Sequence, residues 1–359
     1  MRTLVISDLH LGAPSGRDVL RRDGARATLL ARLAGFDRLV LLGDVIELRH
    51  APLHEALASA QQALAALGEA LGAEREVVIV PGNHDYHLLS AWLERRARDA
   101  PRAPLDLQTA VDWRAGETLA TVVQWLAPAR VSVVYPGLWL REDVYAMHGH
   151  YSDRHTTVPM LERLAAGAIA RVVTEPRGGP RQIGHYEATL APIYAWIHAV
   201  VQNGGLDVGG RTHGISTGAW SVLAGGRARG PGARLLAAAF PAAVAGLNRA
   251  GIGPLRSDLS AVELRRAGLR AFGEVVDRLR PGAEQVVFGH THRAGPLPDE
   301  DGAQWRSALG CQLLNSGSWV DEPGFLGSSP ERSPYRAGFA VELDEQGPPR
   351  LVNLLDEQG

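Results

Sequence analysis

Ile79-Val80-Pro81-Gly82-Asn83-His84-Asp85 ends the apolar run Val77 to Val80 and sets three polar side chains directly behind it. The run reads as a short buried strand, which Pro81-Gly82 stops. An Asn amide oxygen can ligate a metal, His is the usual general acid near neutral pH, and a following Asp can orient that His. The same three residues also suit an Asx turn ahead of the next helix, so the choice between site and turn depends on their company.

That company is a series of strand ends. Thr3 to Ile6 is a buried strand running into Ser7-Asp8-Leu9-His10-Leu11-Gly12. Extended residues i and i+2 point to one side, so Asp8 and His10 can chelate one ion while Leu9 turns inward. Leu39 to Leu42 leads to Gly43-Asp44, and Val144 to Met147 delivers His148-Gly149-His150. Gln285 to Phe288 delivers Gly289-His290-Thr291-His292, a second i, i+2 pair. Helices are expected over Arg26 to Leu33, His54 to Leu71, Leu88 to Arg98 and Glu117 to Leu126. Ser260 and Glu263 fit a capping box for one more, running to about Leu279. Strand, loop and helix in alternation, with polar residues at each strand's end, indicate an α/β sheet whose site lies along its C-terminal edge. Three close strands, Val131 to Tyr135, Leu138 to Arg141 and Val144 to Met147, imply a second, mixed sheet, and further strands are expected near Gly338 to Leu343 and Leu351 to Leu354.

From Tyr151 to Arg256 the strand pattern disappears. The stretch is rich in Ala, Gly and Arg, with apolar helical segments at Met160 to Val173, Tyr186 to Val201 and Leu235 to Leu247. Its eleven Arg against five acidic residues give +6, which leaves -8 for the remainder of a chain of net charge -2. The organisation expected is a core of residues 1–150 and 258–359 interrupted by a helical insertion, 151–257, and 359 residues suffice for both. A hydrophobic content of 45% and a charged content of 21% are those of an ordinary soluble protein, and near-neutrality gives no global pull towards nucleic acid. The single cysteine, Cys311, excludes an internal disulfide. A strand beginning at Arg2 leaves no room for a signal peptide, and no run reaches the roughly 18–20 apolar residues of a membrane span, so a cytoplasmic protein is expected.

Together, Asp-x-His, Gly-Asp, Gly-Asn-His-Asp, His-Gly and Gly-His-x-His resemble the motifs of the calcineurin-like metallophosphoesterases, over roughly residues 1–150 and 258–359. The resemblance implies an α/β fold, a four-layer αββα sandwich of two mixed sheets flanked by helices, here with a large helical insertion. It implies two divalent ions, with Asp8, His10 and His292 ligating one, Asn83, His148 and His290 the other, and Asp44 bridging them. Imidazole, carboxylate and amide suit Mn²⁺, Fe or Zn²⁺. Two such ions can share a hydroxide that attacks phosphorus in line. His84 is then expected to protonate the leaving oxygen with Asp85 holding its ring, and Asn315 to Ser318 resembles the small-residue loop that closes this fold.

Within the superfamily, Gly43-Asp44-Val45-Ile46-Glu47-Leu48 and His148-Gly149, followed by a helical insertion before Gly289-His290-Thr291-His292-Arg293, look most like the UDP-2,3-diacylglucosamine pyrophosphatases. Those enzymes cover their site with a helical lid that grips acyl chains. This chain departs from them in carrying His84 where they have Arg, and in a longer insertion. The substrate expected is therefore an amphipathic or nucleotide-linked phosphodiester or pyrophosphate, with His150, Arg154 and His155 as candidate contacts at the start of the insertion. An apolar, Arg-rich insertion also suggests peripheral contact with anionic membrane. The alternatives are a phosphomonoesterase or nuclease of the same superfamily, or a non-catalytic scaffold. A nuclease relative normally carries its DNA-reading cap after the last metal motif, and no basic groove interleaved with aromatics is visible, so no nucleic-acid partner is expected. A scaffold is expected to have lost ligands, and all seven are present.

Overall fold

The computed structural model describes the chain except for residues 99–102, 159–160, 171, 174–175, 203–240, 251, 259, 328 and 357–359. Within it, β1 (Thr3–Ile6), β2 (Arg38–Leu42) and β3 (Glu76–Val80) are parallel neighbours, with Leu4 opposite Leu39 and Leu39 opposite Val77. Their near-continuous apolar sequences are those of strands buried on both faces. The short β4 (Gln108–Ala110), absent from the expected elements, pairs with the long β5 (Arg130–Arg141).

β5 joins two sheets. Its first half runs parallel to β3 and its second half antiparallel to β6 (Val144–Met147), which is followed in parallel order by β7 (Gln285–Phe288) and β8 (Gln312–Asn315). The sequence suggests two strands here, broken at Pro136-Gly137, but the chain passes through both residues as one strand. Pro136 lies between Val133, the last partner of β3, and Gly137, the first partner of β6, so its missing N–H costs neither of those ladders a bond. β9 (Phe339–Leu343) and β10 (Arg350–Asn353) finish the opposite edge, β9 antiparallel to β1 and β10 to β9.

Alternate residues of both sheets meet in one apolar cluster, with Val5, Val40, Leu42, Val78 and Val80 joined by Leu138, Leu140, Val144, Ala146, Val287, Leu314 and Val341. This is the inner layer of a sandwich. The intervening Leu4, Ile6, Leu39, Leu41, Val77 and Ile79 are buried too, as a sheet covered on its other face requires. The helices of this unit are α1 (Asp23–Leu33), α2 (Leu53–Leu71), α3 (Ser90–Arg98) and α4 (Thr118–Trp125). α2 buries Ala56, Ala60, Ala63, Leu64, Leu67 and Leu71, a stripe at helical spacing. The result is a mixed α/β fold in which β1, β2, β3, β6 and β7 each deliver a polar loop at their C-terminal ends.

The chain divides into two compact units, Met1–His150 with Pro281–Arg306 and Gly310–Gly359, and Tyr151–Arg280 with Ser307–Leu309. The second unit contains α5 (Leu161–Ile169), α6 (Ile183–Gln202), a helical stretch over 241–249 and the helix Ala261–Leu279, so it extends past residue 257 to Arg280. Of the expected segment Leu235 to Leu247, the part before residue 241 lies outside the described residues, as does Met160. The capping box forms, Ser260 Oγ accepting from Glu263 N at 3.2 Å. Tyr151 and Tyr186 stack at 4.7 Å within this unit. No described helix is long and apolar enough to cross a membrane.

Gly68 of α2 is buried under the backbone carbonyl of Leu126, and a Cβ there would overlap that carbonyl. Gly68→Ala gains about 1 kcal/mol of helix propensity but costs roughly 1–3 kcal/mol of overpacking against rigid backbone. A lower melting temperature is expected for Gly68→Ala, and an unchanged one for Ala at exposed Glu69. A stabilised Gly68→Ala protein would show that α2 and the end of α4 are less closely packed.

Candidate metal centre

Six non-glycine residues among those described have positive φ, and five of them are predicted ligands: Asp8 (55°), His10 (45°), Asp44 (53°), His290 (65°) and His292 (57°). Each sits in the left-handed region, at a cost of roughly 1–2 kcal/mol for an L residue. The reading of Asp8 and His10 as an extended i, i+2 pair is corrected here: they converge through two left-handed turns. Backbone bonds hold the turns in place, Asp8 N donating to Gly43 O at 3.0 Å, His10 N to Asp44 O at 2.9 Å and Gly289 N to His148 O at 2.9 Å. The approach is close enough to exclude side chains. A Cβ at Gly43 would overlap the His148 ring, and one at Gly289 would overlap the Asp8 carboxylate and Ser7 Oγ.

These turns gather the donors into two groups. In the first, Asp8, His10 and His292 place ligand atoms within 4.8 Å of one another. His10 Nε2 and His292 Nε2 face each other at 3.1 Å, and His292 Nε2 lies 3.4 Å from Asp8 Oδ1. In the second, Asp44, His148 and His290 converge within the same limit, and Asn83 Oδ1 lies 3.1 Å from His290 Nδ1. Asp44 belongs to both neighbourhoods, since its Oδ2 is 3.0 Å from His148 Nε2 and 3.8 Å from His10 Nε2.

The outward nitrogens of the rings are fixed by partners. His148 Nδ1 donates to Leu42 O at 2.9 Å, which leaves Nε2 with its lone pair towards Asp44 in the neutral ring. His10 Nδ1 bonds Glu47 Oε2 at 2.9 Å, and His292 Nδ1 lies 3.3 Å from Glu322 Oε2. Burial opposes ionisation of Asp8 and Asp44, but the facing imidazoles, His148 foremost, outweigh it and hold both carboxyls low. The same pairs act in reverse on the rings. Burial would lower His148, yet Asp44 and Asp8 raise it to about 9, and Glu47 and Glu322 likewise raise His10 and His292.

Glu47 is the residue that sequence reasoning missed, although it stands three positions after Asp44 in the quoted motif. Its carboxylate is 3% exposed and accepts from His10, His84 Nδ1 at 2.8 Å, Arg49 N at 3.1 Å and His50 N at 3.0 Å. The expectation that Asp85 holds the His84 ring is therefore corrected. Asp85 turns inward and accepts from Val45 N at 2.8 Å and Gly82 N at 2.6 Å, bracing the loops of β2 and β3. Burial, with Asp44 nearby, pushes the Asp85 carboxyl up to about 6. The His84 ring is lowered to about 4, burial outweighing Glu47, so it is neutral at pH 7 with Nδ1–H on Glu47.

His150 is fully buried, its Nε2 bonded to Tyr135 Oη at 3.2 Å, and it has no exposed surface to offer a substrate. Arg154 and His155 belong to the second unit, where His155 Nε2 bonds Tyr186 Oη at 2.8 Å and burial lowers its pKa to about 3. Asn315 to Ser318 acts structurally: Asn315 Nδ2 donates to Gly289 O and Thr291 Oγ1, each at 2.9 Å, and Ser316 Oγ meets Ser7 Oγ at 2.8 Å.

Two buried donor atoms support ion binding. Asp8 Oδ1 and His148 Nε2 lack a hydrogen-bond partner, and a buried carboxylate oxygen left so is costly unless a cation meets it. The donor set of two carboxylates, one amide oxygen and four imidazoles fits a divalent metal. Residues 1–179 match the family described as calcineurin-like phosphoesterase. No curated protein matches the chain significantly.

An imidazole must shed its proton before ligating an ion. With His148 raised to about 9 and His10 and His292 also raised, protons compete across the window from about 6.5 upwards. Divalent-metal affinity is expected to climb between pH 6.5 and 9 with proton release, read by titration calorimetry in buffers of different ionisation enthalpy. The metal-free protein should show the opposite trend. Its raised histidines contribute stability that is complete below about pH 6.5 and lost as pH rises through about 9, so its melting temperature should fall over that range. A pH-independent affinity would remove these rings from the ligand set.

Proposed function

Taking as premise that the N-terminal half of this chain is a calcineurin-like phosphoesterase domain, and that the protein is a metal-dependent hydrolase of phosphoric esters, we propose a dinuclear centre cleaving an amphipathic or nucleotide-linked phosphodiester or pyrophosphate. The observation that carries the dinuclear reading is the position of Asp44 Oδ2, 3.0 Å from a nitrogen of one donor group and 3.8 Å from a nitrogen of the other. Asp8, His10 and His292 would hold one ion, Asn83, His148 and His290 the second, and Asp44 both. Divalent ions there, Mn²⁺, Fe or Zn²⁺, supply the charge that activates water and offsets the phosphoryl oxygens.

The protein's own groups do the rest. Only Asp8 and Asp44 among the seven ligands are anionic, so the loaded site keeps positive charge for the phosphoester. His84 Nδ1 is anchored on Glu47, which directs the other ring nitrogen away from that carboxylate. Glu47 also stabilises the ring when it carries a second proton, and an anionic phosphoester beside His84 opposes the burial that otherwise keeps it neutral. His84 is the group that protonates the leaving oxygen, and Glu47 positions it.

The second unit supplies substrate selection in this reading, as in the acyl-gripping pyrophosphatases that the motif layout resembles. Supporting it are the +6 charge of 151–256 and two large apolar side chains left in the open, Val172 at 87% and Trp196 at 60% exposure. An Arg-rich segment with exposed Trp and Val has the composition of a surface meeting anionic, amphipathic matter. We place the protein in the cytoplasm, with peripheral membrane contact through this unit.

Asp44→Ala is expected to abolish hydrolysis and lower bound metal with the circular dichroism unchanged. Full metal content and turnover in that variant would remove the shared-carboxylate assignment. His84→Ala should keep its metal and lose on the order of 10²–10⁴-fold in turnover, least with a good leaving group such as p-nitrophenol. Equal losses on good and poor leaving groups would sink the acid role. Vesicles containing phosphatidylserine should retain the protein in flotation, and high salt should release it. No salt-sensitive binding to these vesicles would sink the membrane contact and leave at most a soluble substrate lid.

A further inference from the structure

A third group of donors lies beside the proposed centre and outside its seven ligands. Glu47, His50 and His84 place ligand atoms within 4.8 Å of one another. His84 Nδ1 lies 2.9 Å and His50 Nδ1 3.2 Å from the same oxygen, Glu47 Oε1. That oxygen also receives the backbone N–H groups of Arg49 at 3.1 Å and His50 at 3.0 Å. His84 Nδ1 also lies 2.8 Å from Glu47 Oε2, so both oxygens of the carboxylate are within reach of that ring. The site is within reach of solvent, the His50 and His84 side chains being 22% and 16% exposed. The His50 and His84 rings stand 5.1 Å apart and inclined at 56°.

We infer that Glu47, His50 and His84 form a third, inhibitory site for a borderline-soft divalent cation such as Zn²⁺. Ligand atoms around tetrahedral Zn²⁺, at about 2.0–2.2 Å from the ion, are separated by about 3.4 Å. The separations of 2.9 and 3.2 Å from Glu47 Oε1 need widen by only a few tenths to accept it. Two imidazoles and one carboxylate select zinc over magnesium or calcium, which prefer oxygen ligands. Water completes the fourth position. The ion takes the lone pair of His84 Nδ1 in the tautomer whose proton sits on Nε2, so ion and Nδ1–H are mutually exclusive. His84 then exchanges its hydrogen bond to Glu47 for the ion, and beside that positive charge its ring cannot take up the second proton that the acid role needs. Zinc binding here arrests turnover without removing an ion from the Asp44 centre. This consequence rests on the acid role proposed for His84, whereas the site itself does not.

The experiment uses the full chain and His50→Gln, which removes a donor from this group alone. Both are loaded with Mn²⁺, then titrated with Zn²⁺ while total bound metal and hydrolysis of an aryl phosphodiester are followed. The wild type is expected to bind one equivalent of metal more than His50→Gln at saturating Zn²⁺, whatever the content of the Asp44 centre. Turnover in Mn²⁺ should be equal in the two proteins, and inhibition by Zn²⁺ should need about 10- to 100-fold more ion in the variant. Equal metal content in the two proteins would overturn the site. The extra equivalent without any difference in zinc inhibition would keep the site and overturn its inhibitory role through His84. Inhibition with zinc replacing Mn²⁺ one for one in both proteins would assign the effect to exchange at the Asp44 centre and overturn the inference.

Discussion

Asp44 is the carboxylate on which the rest of the centre depends. It is 1% exposed, and its two oxygens are used differently, Oδ1 accepting from His84 N at 2.8 Å and Oδ2 facing His148 and His10. One oxygen thereby fixes the loop that carries Asn83 and His84, and the other meets both donor groups. A buried carboxylate is tolerated only where opposite charge surrounds it, and here that charge comes from imidazoles on two separate strand ends, His10 after β1 and His148 after β6. The loops of β1, β3 and β6 are in this sense placed around Asp44.

Meeting at that point requires unusual backbone. A strand's side chains alternate between faces, and its last residue continues along the strand axis, so no straight exit brings Asp8, His10, Asp44, His290 and His292 together. Left-handed turns at all five positions redirect the side chains, at a combined cost of several kcal/mol. Parallel pairing of β1, β2 and β3 offsets that cost by setting the strand ends side by side, where loop N–H groups find carbonyls on the neighbouring loop. The glycines at 43 and 289 are the steric counterpart, for each stands where a side chain would occupy a ligand's place.

Much of this was legible in the chain. Short apolar runs ended by Gly and a polar residue revealed β1, β2, β3, β6 and β7 and the edge that carries the site, because strand burial and turn chemistry are both local signals. Residue type and position also identified which side chains converge. Second partners were less legible. Asp85 follows His84 directly, yet adjacent residues in a tight loop diverge, and its oxygens serve Val45 N and Gly82 N instead. Glu47 is remote from His84 in sequence and reaches it only because β2 and β3 are neighbours. The fusion of 131–135 and 138–141 into β5 was hidden for a similar reason. A proline breaks a strand or leaves it intact according to which partner ladder needs its N–H, and that is a property of the sheet.

The point in the chain at which the second unit is inserted follows from the same sheet. β6 and β7 are parallel neighbours, Ala146 pairing with Val287, and parallel neighbours cannot be joined by a hairpin; the chain must leave the sheet and return through a crossover of a dozen or more residues. His148 stands just after the first of these strands and His290 just after the second. Their relative placement is set by the ladder between β6 and β7, with ring centres 5.3 Å apart. Whatever lies within the crossover leaves that ladder unchanged. A crossover is thus a connection that can grow by a whole helical unit while His148 and His290 on either side of it keep their register, and loop-closure entropy rises only slowly with its length. An insertion at this point can vary in length and surface without altering the register of the strand ends that bring the donor groups together.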